Sequence, residues 1–194
     1  LGNGAGGFSK GASSPVSVGA RPIAIVAGDF NRDGRLDLAT ANQSSSDVTI
    51  LLGDGHGAFA QAPGTPIAFA FSPAAISAGD WDHNGDTDLA VLTLGSDVTI
   101  LLGNGAGQFN PAAGSPAPVP WQPSKIAAAD FNGDGDLDVV VTSLGSSGQV
   151  TVLLGDGSGG LHNAAGSPFG LVDQPFDVTV GDWNRDGKPD LAIT

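Results

Sequence analysis

Cysteine is absent, so neither a disulfide framework nor a thiolate metal site is possible. Glutamate and methionine are absent as well, lysine is scarce, and there are 31 Gly and 13 Pro. That balance argues against helices and for short strands joined by turns. Only seven residues are Lys or Arg, too few for a basic patch, which excludes nucleic acid as a partner. No window reaches the roughly 18 apolar residues of a membrane span, so membrane insertion is not expected. No signal peptide is visible, and residue 1 falls in mid-motif, which leads us to expect that the true N-terminus lies elsewhere. The 194 residues give room for one domain with a real core.

What the chain has instead is aspartate. All 20 acidic residues are Asp, the formal net charge is −13, and 14 of them lie in four copies of one nonapeptide. The copies run Asp29 to Asp37, Asp80 to Asp88, Asp130 to Asp138 and Asp182 to Asp190. Place one is Asp29, Asp80, Asp130 and Asp182, and place nine is Asp37, Asp88, Asp138 and Asp190. Place three is Asn31, Asp82, Asn132 and Asn184, and place five is Asp33, Asn84, Asp134 and Asp186. Place seven is Arg35, Asp86, Asp136 and Lys188, so only its backbone carbonyl can be a ligand shared by all four. Place two is always Phe or Trp, and place six is always Gly, which allows the loop to turn back on itself.

Oxygens at alternate places, aimed inward by a tight turn, suit a hard cation. Calcium fits best, since it takes 6–8 oxygens in flexible geometry. Each loop carries three carboxylates among places one, three, five and nine. Two unit charges roughly 5 Å apart repel by about 3 kcal/mol at an effective dielectric of 20, so closure calls for a cation. Four divalent ions, one per loop, would bring the formal charge from −13 to −5. A solvated Asp-Gly turn explains one such nonapeptide, but not four in fixed register. EF-hand and dockerin readings need helices, and the EF-hand needs a bidentate Glu at place twelve; here Thr40, Val91, Val141 and Ile193 stand there.

The rest of the chain repeats with the loops. Val48-Thr49-Ile50-Leu51-Leu52, Val98 to Leu102 and Val150 to Leu154 read as buried strands, and Gly-Asp-Gly or Gly-Asn-Gly hairpin turns follow them. A phosphate-cradling reading of these glycines fails because a strand, not a helix, comes next. Pro15, Pro66, Pro116 and Pro168 stand seven residues after the positions of Phe8, Phe59, Phe109 and Leu161. From those positions to each loop's first Asp is 21 residues in all four units. Length varies only at Ala41 to Asp47, Leu94 to Asp97 and Ser143 to Gln149. Four strands per ~50 residues without helices predict an all-β propeller of about four four-stranded antiparallel blades. The units run about 1–41, 42–93, 94–142 and 143–194, beginning and ending in mid-blade, each with its acidic loop in a hairpin. An unpaired edge there would be a template for self-association.

Gly28-Asp29-Phe30-Asn31-Arg32-Asp33-Gly34, followed by Val48 to Gly55, resembles the FG-GAP and VCBS-type repeats of integrin-α-like propellers, and the likeness covers nearly all of the chain. The resemblance implies a calcium loop between the two innermost strands of each blade. It also implies an extracellular, cell-surface role in adhesion, carbohydrate binding or scaffolding, with a protein or a carbohydrate as partner. Nothing points to an enzyme: His56, His83 and His162 lie in turns or loops, and the Asp spacing is explained by ligation. The expected function is a calcium-stabilised structural or interaction propeller, part of a longer array or filament. The alternative is a calcium-dependent lectin in which Trp121 stacks on a sugar or, failing that, fills a gap between blades. Asn42-Gln43-Ser44 is the one glycosylation sequon.

Overall fold

The computed structural model describes residues 1–11, 13–145, 147–171 and 173–194; Ser146, within the variable stretch from Ser143 to Gln149, lies outside them. Among the described residues all regular structure is β. The first sheet holds β1 (Pro22–Gly28), β2 (Asp37–Asn42), β3 (Asp47–Gly53), β4 (Phe59–Gln61) and β5 (Ile67–Ala68). The second holds β6 (Pro73–Gly79), β7 (Asp88–Thr93), β8 (Asp97–Gly103), β9 (Phe109–Pro111) and β10 (Ala117–Pro118). The third holds β11 (Pro123–Ala129), β12 (Asp138–Ser143), β13 (Gln149–Gly155), β14 (Leu161–Asn163) and β15 (Phe169–Gly170). A two-stranded sheet of β16 (Val178–Gly181) and β17 (Asp190–Ile193) follows. Every pairing is antiparallel, and each acidic loop closes the hairpin between the first two strands of its sheet.

The fourth strand is in two pieces rather than one. β4 pairs the end of β3 and β5 pairs its beginning, with the turn before Pro66 between them. Proline brings no N–H, so the ladder breaks there. At the break a hydroxyl serves as acceptor where no strand carbonyl does: the N–H of Ile50 donates to Thr65 Oγ1 at 2.9 Å, Ile100 to Ser115 Oγ at 3.0 Å, and Val152 to Ser167 Oγ at 2.8 Å. This is why Ser or Thr precedes each of these prolines.

The sheets stack face to face, and the cores lie between them. Strand alternation sends successive side chains to opposite faces. On β7, Leu89 and Val91 join Phe30, Ala39, Val48 and Ile50 of the first sheet, whereas Ala90 and Leu92 join Val139, Val141 and Leu153 of the third. A strand packed on both faces must be apolar throughout, which accounts for the unbroken runs in the sequence. The first strands pack in series, β1 on β6, β6 on β11 and β11 on β16. Among the described residues that series does not close into a ring. At its two ends Ile25 is 60% exposed and Trp183 55%.

Asn42 of the sequon is fully buried, and its amide nitrogen donates to Asp47 Oδ1 at 2.6 Å and Thr49 Oγ1 at 2.9 Å. A glycan has no access to it in the folded chain. Trp121 does not fill a gap between sheets, being 72% exposed.

Candidate metal centres

Each acidic loop is built on the last residue of its hairpin register. Gly28 pairs Asp37, Gly79 pairs Asp88, Ala129 pairs Asp138 and Gly181 pairs Asp190, so place nine is the first residue of the second strand. In the first three units its carboxylate is buried and accepts two backbone N–H bonds. Asp37 takes Phe30 N–H at 2.9 Å and Gly53 N–H at 2.7 Å. Asp88 takes those of Trp81 at 2.8 Å and Gly103 at 2.7 Å, and Asp138 those of Phe131 at 2.7 Å and Gly155 at 2.8 Å. Place nine thus ties its loop to the end of the third strand. The approach is so close that a Cβ at Gly53 would sit 2.3 Å from the Leu36 carbonyl oxygen, and one at Gly103 2.5 Å from that of Thr87. Among the described residues Asp190 accepts from the Trp183 N–H alone, at 3.0 Å.

Places one, three and five fold inward over the turn. The N–H of the place-six glycine donates to the place-one carboxylate in every copy: Gly34 to Asp29 at 2.8 Å, Gly85 to Asp80 at 3.0 Å, Gly135 to Asp130 at 2.9 Å and Gly187 to Asp182 at 3.0 Å. All four glycines have φ between 78 and 96°, a region L residues with a Cβ resist. Asn31, Asn132 and Asn184 accept from the backbone N–H two residues on. The place-five carboxylates of Asp33, Asp134 and Asp186 do the same from Arg35, Asp136 and Lys188.

The second loop converges furthest. Carboxylate oxygens of Asp80, Asp82 and Asp88 lie within 4.8 Å of one another. Asp80 Oδ1 is buried with no hydrogen-bond partner, an arrangement that leaves a desolvated anionic oxygen without compensation. A hard divalent cation satisfies it, and an all-oxygen donor set is what calcium takes. The residues present therefore fit the ion. In the other three loops the carboxylates at places one, five and nine are not drawn together to that distance among the described residues, and Asn stands in place of Asp82.

The carboxylates are perturbed accordingly. Burial pushes Asp88 up from the ordinary value of 3.8 to about 6, against the pull of the Gly103 and Trp81 N–H groups, with the Asp82 and Asp80 charges adding to the rise. Burial raises Asp138 in the same way. Asp134 is held low, first by the Asp136 N–H. A raised folded-state value means that the folded protein holds more protons than the unfolded one in that window. Stripped of metal, the protein is expected to lose stability as pH rises from about 4 through about 6. Urea midpoints of calcium-free protein across that range measure the slope; a rise in stability instead would contradict desolvated carboxylates.

Two of the four place-two aromatics are buried packing groups, while Phe131 is half-buried and Trp183 exposed. Phe30 and Trp81 are buried between consecutive sheets, and Phe30 meets Phe109 edge-on at 5.6 Å. At place seven, Arg35 lies 3.7 Å from Asp33, while Asp86 and Asp136 are paired with groups of the preceding loop, Arg32 and His83. Neither pair was apparent from the sequence, where places four and seven look freely variable. Nothing in a single sequence links place four of one loop to place seven of the next.

The family described as FG-GAP-like repeat matches residues 29–91, 80–141 and 130–193, each match running from the first Asp of one loop through the next loop. No curated protein matches the chain. Among solved structures it is similar to BBS1N in the crystal structure of its complex with ARL6DN, soaked with mercury. The identity is 16% and the TM-score 0.60, over 91% of this chain and 52% of that one. The lead-soaked form gives 16% identity and a TM-score of 0.52 over 81% and 46%. The V. cholerae biofilm matrix protein Bap1 aligns over 96% of this chain and 30% of its own, at 21% identity and a TM-score of 0.43. The chain thus spans about half the length of BBS1N, and what it shares with BBS1N is the fold.

Proposed function

We propose, for a chain that belongs to the FG-GAP-like repeat family, a calcium-stabilised extracellular interaction module with one ion in each of its four loops. The observation that carries the reading is the convergence of Asp80, Asp82 and Asp88 around an unpartnered, buried carboxylate oxygen. Side chains at places one, three, five and nine and the place-seven carbonyl would supply the ligands in each loop. The ion's part is to neutralise three carboxylates that otherwise oppose closure; the chain's part is to hold them there through backbone N–H groups. Such sites are structural, with affinity in the range of roughly 10⁻⁴–10⁻³ M seen for extracellular modules. Calorimetry on the chelator-stripped protein counts them: four ions per chain are expected, and zero or one would end the reading.

Calcium here supports a surface rather than a reaction. The partner is a protein, consistent with a scaffold or adhesion role, and BBS1N offers a parallel in being crystallised with ARL6DN. Among the described residues β17 pairs with β16 alone, and its other edge would take a strand from a further unit or another copy. A second reading, a lectin-like module, is favoured by one observation. Trp121 stands exposed beside Gln122 and Gln149, an aromatic face with amides around it. Trp121 precedes β11 and the acidic loop follows it, so seven residues of strand, roughly 23 Å, separate the two. Any calcium dependence of sugar binding would then act through the fold. A glycan array with wild type and Trp121→Ala separates the readings.

A further inference from the structure

Each acidic loop touches the next unit as well as its own hairpin. The carbonyl of Phe30 accepts from Gly107 N–H at 2.8 Å, and the carbonyl of Trp81 from Gly159 N–H at 3.0 Å. In each case place two of one unit holds the glycine turn of the following one. Place four does the same for the following loop. Arg32 donates through Nη2 to the Asn84 carbonyl at 2.9 Å, and its Nε lies 2.5 Å from Asp86 Oδ1. His83 Nε2 lies 2.6 Å from Asp136 Oδ1. Arg32 and His83 both have φ of 57°, a conformation residues with side chains adopt uncommonly.

The receiving carboxylates are seated tightly. Asp86 is buried, and a Cβ at Gly105 would fall 2.4 Å from its Oδ1 and 3.0 Å from Arg32 Cδ. A Cβ at Gly157 would fall 2.8 Å from Asp136 Oδ1. The third junction lacks this device: place four is Gly133, without a side chain, and place seven of the fourth loop is Lys188.

We infer that Arg32 and His83 are positioning residues, struts through which the state of one calcium loop is carried into the loop of the next unit. The inference rests on the calcium reading. Arg32 lies between two ligands of its own loop, Asn31 and Asp33, so an ion held there fixes its backbone. Its guanidinium then holds the Asn84 carbonyl and the Asp86 side chain, which belong to places five and seven of the second loop. Both loops must be closed for the strut to meet both ends, so closure of either favours closure of the other, as reciprocity of coupling requires. The first and second junctions are coupled in this way and the third is not.

Hydrogen exchange read by mass spectrometry on the calcium-loaded protein tests this, with ions counted in parallel. Asp33→Ala, which empties the first loop, is expected to raise exchange over 29–37 and also, by at least about fivefold, over 84–87 and 105–107. Asp134→Ala, which empties the third loop, is expected to raise exchange over 130–138 and leave 182–190 as in wild type. Arg32→Ala is expected to raise exchange over 84–87 and, by the same coupling, over 29–37 with every ion still counted, and Arg32→Lys, which keeps the charge but not the fork, to recover part of it. An Asp33→Ala effect that stops at residue 37, or an Arg32→Ala profile identical to wild type, would overturn the strut. Chelator that leaves 29–37 of the wild type unchanged would overturn the calcium reading beneath it. The two failures therefore show in different peptides.

Discussion

Excess chelator is expected to lower the melting temperature of the calcium-loaded protein by tens of degrees. An ion that binds only the native state adds about 2.7 kcal/mol per site at a hundredfold excess over Kd. Four such sites amount to roughly 11 kcal/mol, comparable with the whole stability of an ordinary domain, about 5–15 kcal/mol. For a chain of this size each kcal/mol shifts the melting temperature by about 2–4 °C. The structure adds a reason beyond mass action: the loops sit on the hairpin between the first two strands of every sheet, and those first strands pack on one another in series. Loss of the ions therefore loosens the line along which the sheets meet. Magnesium at equal concentration should restore little, because it demands near-ideal octahedral geometry and gives up water reluctantly. Circular dichroism melts with chelator, calcium and magnesium make the comparison, and coincident curves would remove calcium from the account of stability.

The parts of this fold that repeat were legible in the sequence. Place nine is always Asp and the strand after it always apolar, and from these the hairpins and the loops that close them could be named by residue. Place two was readable as a packing position because it recurs as Phe or Trp, and Phe30 and Trp81 are indeed buried. The division of the fourth strand was not legible. Proline marks the break, but it is the fold that brings the Thr65, Ser115 and Ser167 hydroxyls to the strand beside them. The second function of place nine was also hidden. A ligand pattern says that Asp37 faces a cation; it does not say that the same carboxylate receives Gly53 N–H from a strand 16 residues away. Contacts between units were hidden for a further reason. Arg32 and Asp86 are 54 positions apart in sequence, and neither place repeats a residue type in all copies, so periodicity carries no trace of them.

That double role of place nine sets the largest expected effect of a single substitution. Asp88→Ala removes a proposed calcium ligand and, with it, the acceptor of two N–H groups in a buried setting. Leaving a buried donor unsatisfied costs about 1–3 kcal/mol each, so the two together cost roughly 2–6 kcal/mol before the ion is considered. The N–H of Trp81 is one of them, and Trp81 plugs the core between the second and third sheets, so the damage falls on both. Asp88→Asn should recover only part of the loss, because its amide nitrogen would face a donor where Asp88 offers an acceptor. Two comparisons separate this from simple loss of an ion. Asp134 accepts only from within its own loop, so Asp134→Ala should lose one ion and much less stability. Among the described residues Asp190 accepts one backbone N–H rather than two and sits at an exposed loop, so in this chain Asp190→Ala should fall between the two. Urea denaturation in saturating calcium, with ions counted for each variant, is the measurement. Equal losses for Asp88→Ala and Asp134→Ala would mean that place nine is a ligand and nothing more.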